Sequence, residues 1–163
     1  NPVENYGWPE FLEKSGNAGV DGLLIVDYPP EIMDRWQADF VKNKVSSIFL
    51  VAPTTTRERM EMIASKASGF LYFISLKGVT GSDTIDYESI SNHISFLRQK
   101  TNLPIVAGFG IKDCQIASKI ASYADGIVIG SKIIEMIEAS PNHADTTQAL
   151  AWFKTIREAL DKE

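Results

Sequence analysis

Pro104-Ile-Val-Ala-Gly-Phe-Gly110 and Asp125-Gly-Ile-Val-Ile-Gly-Ser131 are short apolar, β-branched runs that each stop at glycine. Between them Ile116, Ala117, Ile120 and Ala124 recur at helical spacing, so the stretch from Pro104 to Ser131 predicts a strand, a glycine turn, a helix, a second strand and a further turn. Gly130-Ser131 opens the next helix, with Ser131 placed to cap it. Strands joined by a helical crossover are parallel, so both glycine turns fall at the same end of the sheet. A turn without Cβ atoms lets backbone N–H groups approach a ligand, and a helix N-terminus adds a positive dipole end. The chemistry this favours is anion binding. The plain alternative is that the glycines serve turn geometry alone.

The same unit repeats upstream. Pro9 suits a first helical turn, with Phe11, Leu12 and Ala18 facing inward and Gly19 stopping the helix. Gly22-Leu-Leu-Ile-Val26 then reads as a parallel strand covered on both faces, ended by Tyr28-Pro-Pro30. Met33, Trp36, Phe40 and Val41 mark a helix before the strand Ser46–Val51. Thr55 and Glu58 have capping-box spacing ahead of a helix whose inward face is Met60, Ile63, Ala64 and Ala67. Gly69–Ile74 is the third strand, and the long link from Ser75 to Asp86 is expected to be functional because plain links are shorter. Tyr87, Ile90, Ile94 and Leu97 line the next helix. After the fifth strand, ending at Ile129, helices near Ser131–Glu138 and Thr146–Asp161 follow, the last with Leu150, Phe153, Ile156 and Leu160 inward. Five strand-helix repeats in one domain over 1–163 imply an α/β fold with a parallel sheet and right-handed crossovers. The pattern fits either a complete open sheet or the later two-thirds of a closed (β/α)8 barrel.

With 163 residues, 44% hydrophobic and 23% charged, the chain can bury a sizeable core. A net charge of -5 with scattered basic residues gives no footprint for nucleic acid or an anionic membrane. No apolar run is long enough to span a bilayer, and the single cysteine, Cys114, cannot form an internal disulfide, so the expected compartment is cytoplasmic. Cys114, His93 and His143 lack metal-ligand spacing, and neither metal nor organic cofactor is expected.

Gly19-Val-Asp-Gly22, Asp27-Tyr-Pro-Pro30, Ala52-Pro-Thr-Thr-Thr-Arg57, Ser75-Leu-Lys-Gly-Val-Thr-Gly81, Gly108-Phe-Gly-Ile111 and Gly130-Ser131 follow one another along the chain. In that order they resemble the α subunit family of tryptophan synthase, and the likeness runs from Asn1-Pro2 to the last helix. It implies a (β/α)8 TIM barrel and a lyase that splits indole-3-glycerol phosphate into indole and glyceraldehyde 3-phosphate, in tryptophan biosynthesis, beside a β subunit. Judged by barrel size, family members begin with roughly a hundred more residues, the first three strands and helices, which carry the catalytic glutamate and aspartate. The chain starts at Asn1 and opens on a helix-like segment, so it is expected to be truncated; the resemblance implies that it holds no catalytic residue of its own and is inactive alone.

The resemblance assigns phosphate binding to Gly81, Gly110, Gly130 and Ser131, and substrate contact to Leu24, Tyr72, Thr80 and Phe109. It places Asp27 and Pro29 at the rim that meets the β subunit. Without it, Tyr72 and Leu24 read as barrel core, Thr80 as a solvated loop hydroxyl and Asp27 as a turn cap. The chain departs from the family at Leu76-Lys77, where Arg-Ala is frequent, but keeps Thr80 and the flanking glycines. That Gly-Val-Thr-Gly loop argues against other phosphosugar barrels. A non-catalytic phosphate-binding or partner-binding fragment is the alternative reading.

Overall fold

A computed structural model describes residues 2–74, 86–108, 110–140 and 145–161. Its strands are β1 (Gly22–Leu24), β2 (Ser46–Val51), β3 (Leu71–Ile74), β4 (Ile105–Gly108) and β5 (Gly126–Ile127). They form one sheet in the order β1-β2-β3-β4-β5, and each neighbouring pair is parallel. A doubly wound sheet reverses its strand order at a switch point. This sheet never does, so right-handed crossovers all step the same way and lay their helices on one face. That is the winding of a (β/α)8 barrel wall.

Burial along the strands follows from this winding. Phe49 pairs with Leu71, and Leu71 with Ile105; one layer further Val51, Phe73 and Ala107 align with Ile127. Phe49, Val51, Leu71, Phe73, Ile105 and Ala107 are buried under the helices, each large side chain contributing about 1.5–3 kcal/mol through removal from water. The alternate residues Ile48, Leu50, Tyr72, Ile74 and Val106 are only half-buried. Leu24, paired with Ile48, shares that open face.

The helices are α1 (Pro2–Tyr6), α2 (Trp8–Asn17), α3 (Pro30–Met33), α4 (Gln37–Lys42), α5 (Arg57–Lys66), α6 (Tyr87–Arg98), α7 (Cys114–Ala121), α8 (Ser131–Glu138) and α9 (Thr147–Leu160). None among the described residues is long and apolar enough to cross a membrane. Asp125 ties the sheet together: its carboxylate accepts from the Ile105 N–H at 2.8 Å and from Arg98 at 2.9 Å.

Several expectations need correction. The first helix is divided at Gly7, and besides Leu12 it buries Trp8, at 1% exposure, and Ser15, whereas Phe11 is half-buried and Ala18 is exposed at the helix end. β1 is three residues long rather than five, and Val26 is 71% exposed, because the sheet's second face carries no helix among the described residues. The helix after Pro30 is broken by a 3₁₀ turn at Asp34–Trp36, which rotates Val41 outward to 72% exposure. Thr56, not Thr55, caps α5 by accepting from the Arg59 N–H; Thr55 instead accepts from the Ala52 N–H at 3.0 Å. β5 stops at Ile127. On α9, Ile156 is buried but Leu150 and Phe153 are 64% and 47% exposed, since α9 packs on α7 and α8 through its other side.

One cluster anchors the turn after β1. Trp8 stacks on Trp36 with ring centroids 5.9 Å apart and tilts against Tyr28 at 4.7 Å. Its indole N–H donates to Glu4 at 2.8 Å, and the Tyr28 hydroxyl donates to the same carboxylate oxygen. These bonds from Tyr28 and Trp8 hold the Glu4 carboxyl below its ordinary pKa. A group whose folded pKa is depressed stabilises the fold above its unfolded pKa and loses that contribution as the pH falls through the folded value. Glu4→Gln is therefore expected to lose less stability than the parent as the pH falls from about 6 to about 2, read as the shift of the urea midpoint. Equal losses would show that the Glu4 bonds contribute nothing.

Candidate functional site

β4 and β5 run parallel and in register, Val106 opposite Gly126 and Ala107 opposite Ile127, so their C-terminal turns meet. There a cleft of about 290 Å³ is lined by Gly110 and Ile111 from one turn, by Val128, Gly130 and Ser131 from the other, and by Tyr72 and Gly108 from the sheet. Gly110 takes φ +60°, a left-handed conformation that glycine adopts without strain. Ser131 is the first residue of α8 rather than its cap. Gly130 stands at the cap position and no side chain caps the helix, because the chain enters α8 one residue earlier than a serine cap would require. The Ile133 and Ile134 N–H groups bond back to the Gly130 carbonyl at 3.0 and 3.2 Å. By helix geometry the N–H groups of Ser131 and Lys132 have no intrahelical partner.

Tyr72 reaches from β3 across Gly108. A Cβ on Gly108 would lie 2.5 Å from the Tyr72 hydroxyl, so glycine is the residue that lets the phenol lie over β4. Burial pushes the Tyr72 pKa up, which keeps its hydroxyl protonated and able to donate.

The structure thus brings Tyr72, Gly110, Gly130 and Ser131 into one cleft. Leu24 lies two strands away on the same open face, in a second depression of about 210 Å³ that it shares with Asp27, Tyr28, Pro29, Thr55 and Arg59. Asp27 is exposed and Pro29 half-buried there, beside an ion pair of 2.6 Å between Arg59 and Glu31 that links α5 to α3. Thr80, Gly81, Phe109 and His143 lie outside the described residues. Cys114 donates weakly to the Thr155 carbonyl at 3.7 Å, and His93 Nδ1 stands 2.6 Å from the Ser89 carbonyl. Among the described residues no cluster of three or more His, Cys, Asp or Glu side chains could hold a metal.

Lys112, Lys132 and Glu135 also line the cleft and escaped the sequence reading. The signal was adjacency: Lys132 follows Gly130-Ser131 directly, Lys112 follows Gly110-Ile111, and Glu135 stands one helical turn beyond Lys132.

Residues 1–162 match the sequence model of the tryptophan synthase alpha chain family. The chain belongs to that family. The tryptophan synthase alpha chain of Cupriavidus metallidurans is 44% identical over 161 residues, 99% of this chain and 61% of that relative. Among solved structures, the tryptophan synthase alpha subunit of Legionella pneumophila is similar at TM-score 0.82 and 34% identity, covering all of this chain and 60% of that one. Tryptophan synthase from Mycobacterium tuberculosis is similar at TM-score 0.85 and 28% identity, over 98% of this chain and 59% of that one. The chain therefore spans about three-fifths of the length of these tryptophan synthase relatives, and its five-stranded sheet follows their barrel fold.

Gly108→Ala is expected to destabilise the protein by about 1–3 kcal/mol, because the new methyl group meets the Tyr72 ring. Tyr72→Phe in the same chain should recover part of that loss by removing the hydroxyl at 2.5 Å. A double-mutant cycle on urea midpoints checks the coupling, and additive effects would refute it.

Proposed function

We propose that this chain forms the phosphate-gripping part of a tryptophan synthase α active site, which cleaves indole-3-glycerol phosphate to indole and glyceraldehyde 3-phosphate. The observation that carries the proposal is the meeting of the Gly110 and Gly130-Ser131 turns beside the half-buried Tyr72 hydroxyl in a single cleft. Their N–H groups, with Gly81, hold the ester phosphate. Tyr72 and Phe109 line the substrate's path towards its indole, Leu24 walls the ring, and Thr80 closes over the bound molecule. Asp27 and Pro29 meet the β subunit, and the site works in the cytoplasm.

The reaction is a retro-aldol cleavage without metal or organic cofactor. A proton goes to the indole carbon, a proton leaves the glycerol hydroxyl, and the carbon–carbon bond between them breaks as the aldehyde forms. Anchoring the phosphate lets binding energy fix the reacting end relative to the acid and base. The resemblance assigns that acid and base to none of these 163 residues, so the chain positions substrate but does not itself move the protons. Over 1–163 it is the later two-thirds of a single barrel domain.

Supplied with indole-3-glycerol phosphate alone, the chain is expected to release indole at under about one-thousandth of the rate of a whole α subunit, the scale of losing a positioned acid and base. Mixing it with a polypeptide that carries the family's first three strands should raise the rate. Turnover by the chain alone that matches a whole subunit would refute the proposal.

A second reading, a non-catalytic binding module, draws on the sheet's edges. Among the described residues β1 and β5 each pair on one side only, and unpaired edges invite association. Sedimentation separates the readings: a stable dimer that neither binds phosphate esters nor is complemented would favour the module.

A further inference from the structure

The charged side chains lining the cleft are Lys112, Lys132 and Glu135, giving a net positive lining in a chain whose formal net charge is -5. Lys132 stands in the first turn of α8, where the positive end of the helix dipole disfavours a cation and favours an acid. The first turns of α2 and α6 obey that preference with Glu10 and Glu88, and α6 is also capped by the Asp86 side chain. α8 has neither a cap nor a first-turn acid. Lys132 is restrained instead by Glu135, with Nζ 3.4 Å from Oε2, in a partly exposed pair that holds it weakly. Lys112 makes no ion pair among the described residues. A lysine placed against its helix's own electrostatics is a local conflict that an anion bound over the same turn would resolve.

The phosphate of an ester carries about -1.5 to -2 charges near neutral pH, while a helix N-terminus supplies only about half a positive charge. Backbone N–H groups therefore set geometry but leave most of the charge uncompensated. We infer that Lys132, seconded by Lys112, is the side-chain cation of this cleft, and that Glu135 holds Lys132 until a dianionic ester displaces it. The inference rests on the phosphate reading above and adds a selectivity: the cleft prefers dianionic esters to neutral polyols, and its affinity falls with salt.

The test titrates glycerol 3-phosphate, with glycerol as the uncharged control, into the isotope-labelled protein and follows the amide shifts of Gly110, Gly130 and Ser131. In about 20 mM salt, Lys132→Met should weaken binding roughly three- to fivefold, the upper range for one partly exposed charge, and Lys132→Arg should restore most of it. Lys112→Met should act in the same direction but less. Glu135→Gln should tighten binding about twofold, which also tests the idea independently of whether Lys132→Met folds. In about 500 mM salt these differences should shrink to within measurement error. Equal dissociation constants for the parent, Lys132→Met and Glu135→Gln at low salt would overturn the inference while leaving the phosphate site intact. A parent protein whose three amides show no saturable shift would remove the phosphate reading itself, and the lysine role with it.

Discussion

The in-register parallel pairing of β3, β4 and β5 is the constraint on which the rest of the molecule depends. Tyr72 opposite Val106, and Val106 opposite Gly126, put these residues in one row on one face. A shift of a single residue in β3 would send Tyr72 under the helices and Phe73 into the cleft. Because spatial order follows chain order without reversal, the helices share the other face. The alternation of fully buried and half-buried residues along β2, β3 and β4 is the result.

From that register the cleft follows with few further requirements. Equal strand ends bring two glycine turns together, Gly108 makes room for the Tyr72 ring, and α8 starts without a side-chain cap. The outcome is a pocket whose backbone donors are aimed by the scaffold and whose charge comes from lysines close by in the chain. Division of labour of this kind is common where loops carry function on a rigid sheet. At the other edge of the sheet, Glu4, Trp8 and Tyr28 hold the turn after β1 by bonds between α1, α2 and that turn.

Much of this was legible in the residues. Strand and helix alternate as the apolar periods indicate, the glycine turns at Gly110 and Gly130 converge, and the ordered motifs identified the family. What was not legible has physical causes. Apolar content cannot reveal whether a strand is covered on one face or two, so Gly22–Val26 read as doubly covered although Val26 is exposed. Helical periodicity does not register a 3₁₀ interruption, which is why Val41 was expected inside. Adjacent threonines compete for a cap, and local turn geometry gave the position to Thr56. Leu150 and Phe153 look like core residues, yet the direction from which α7 and α8 approach α9 decides which side is buried. Thr80, Gly81 and Phe109 were assigned from the motifs and lie outside the described residues.

If one face of this singly wound sheet ends in an anion cleft shared by β4 and β5, a phosphate monoester has to seat there. A crystal structure grown with a phosphate monoester tests it most directly. Phosphate oxygens are expected within about 3 Å of the amides of Gly110, Gly130 and Ser131, with Tyr72 alongside and every helix on the opposite face. Ester density elsewhere on the molecule, or Gly110 and Gly130 at separate ends of the sheet, would contradict it.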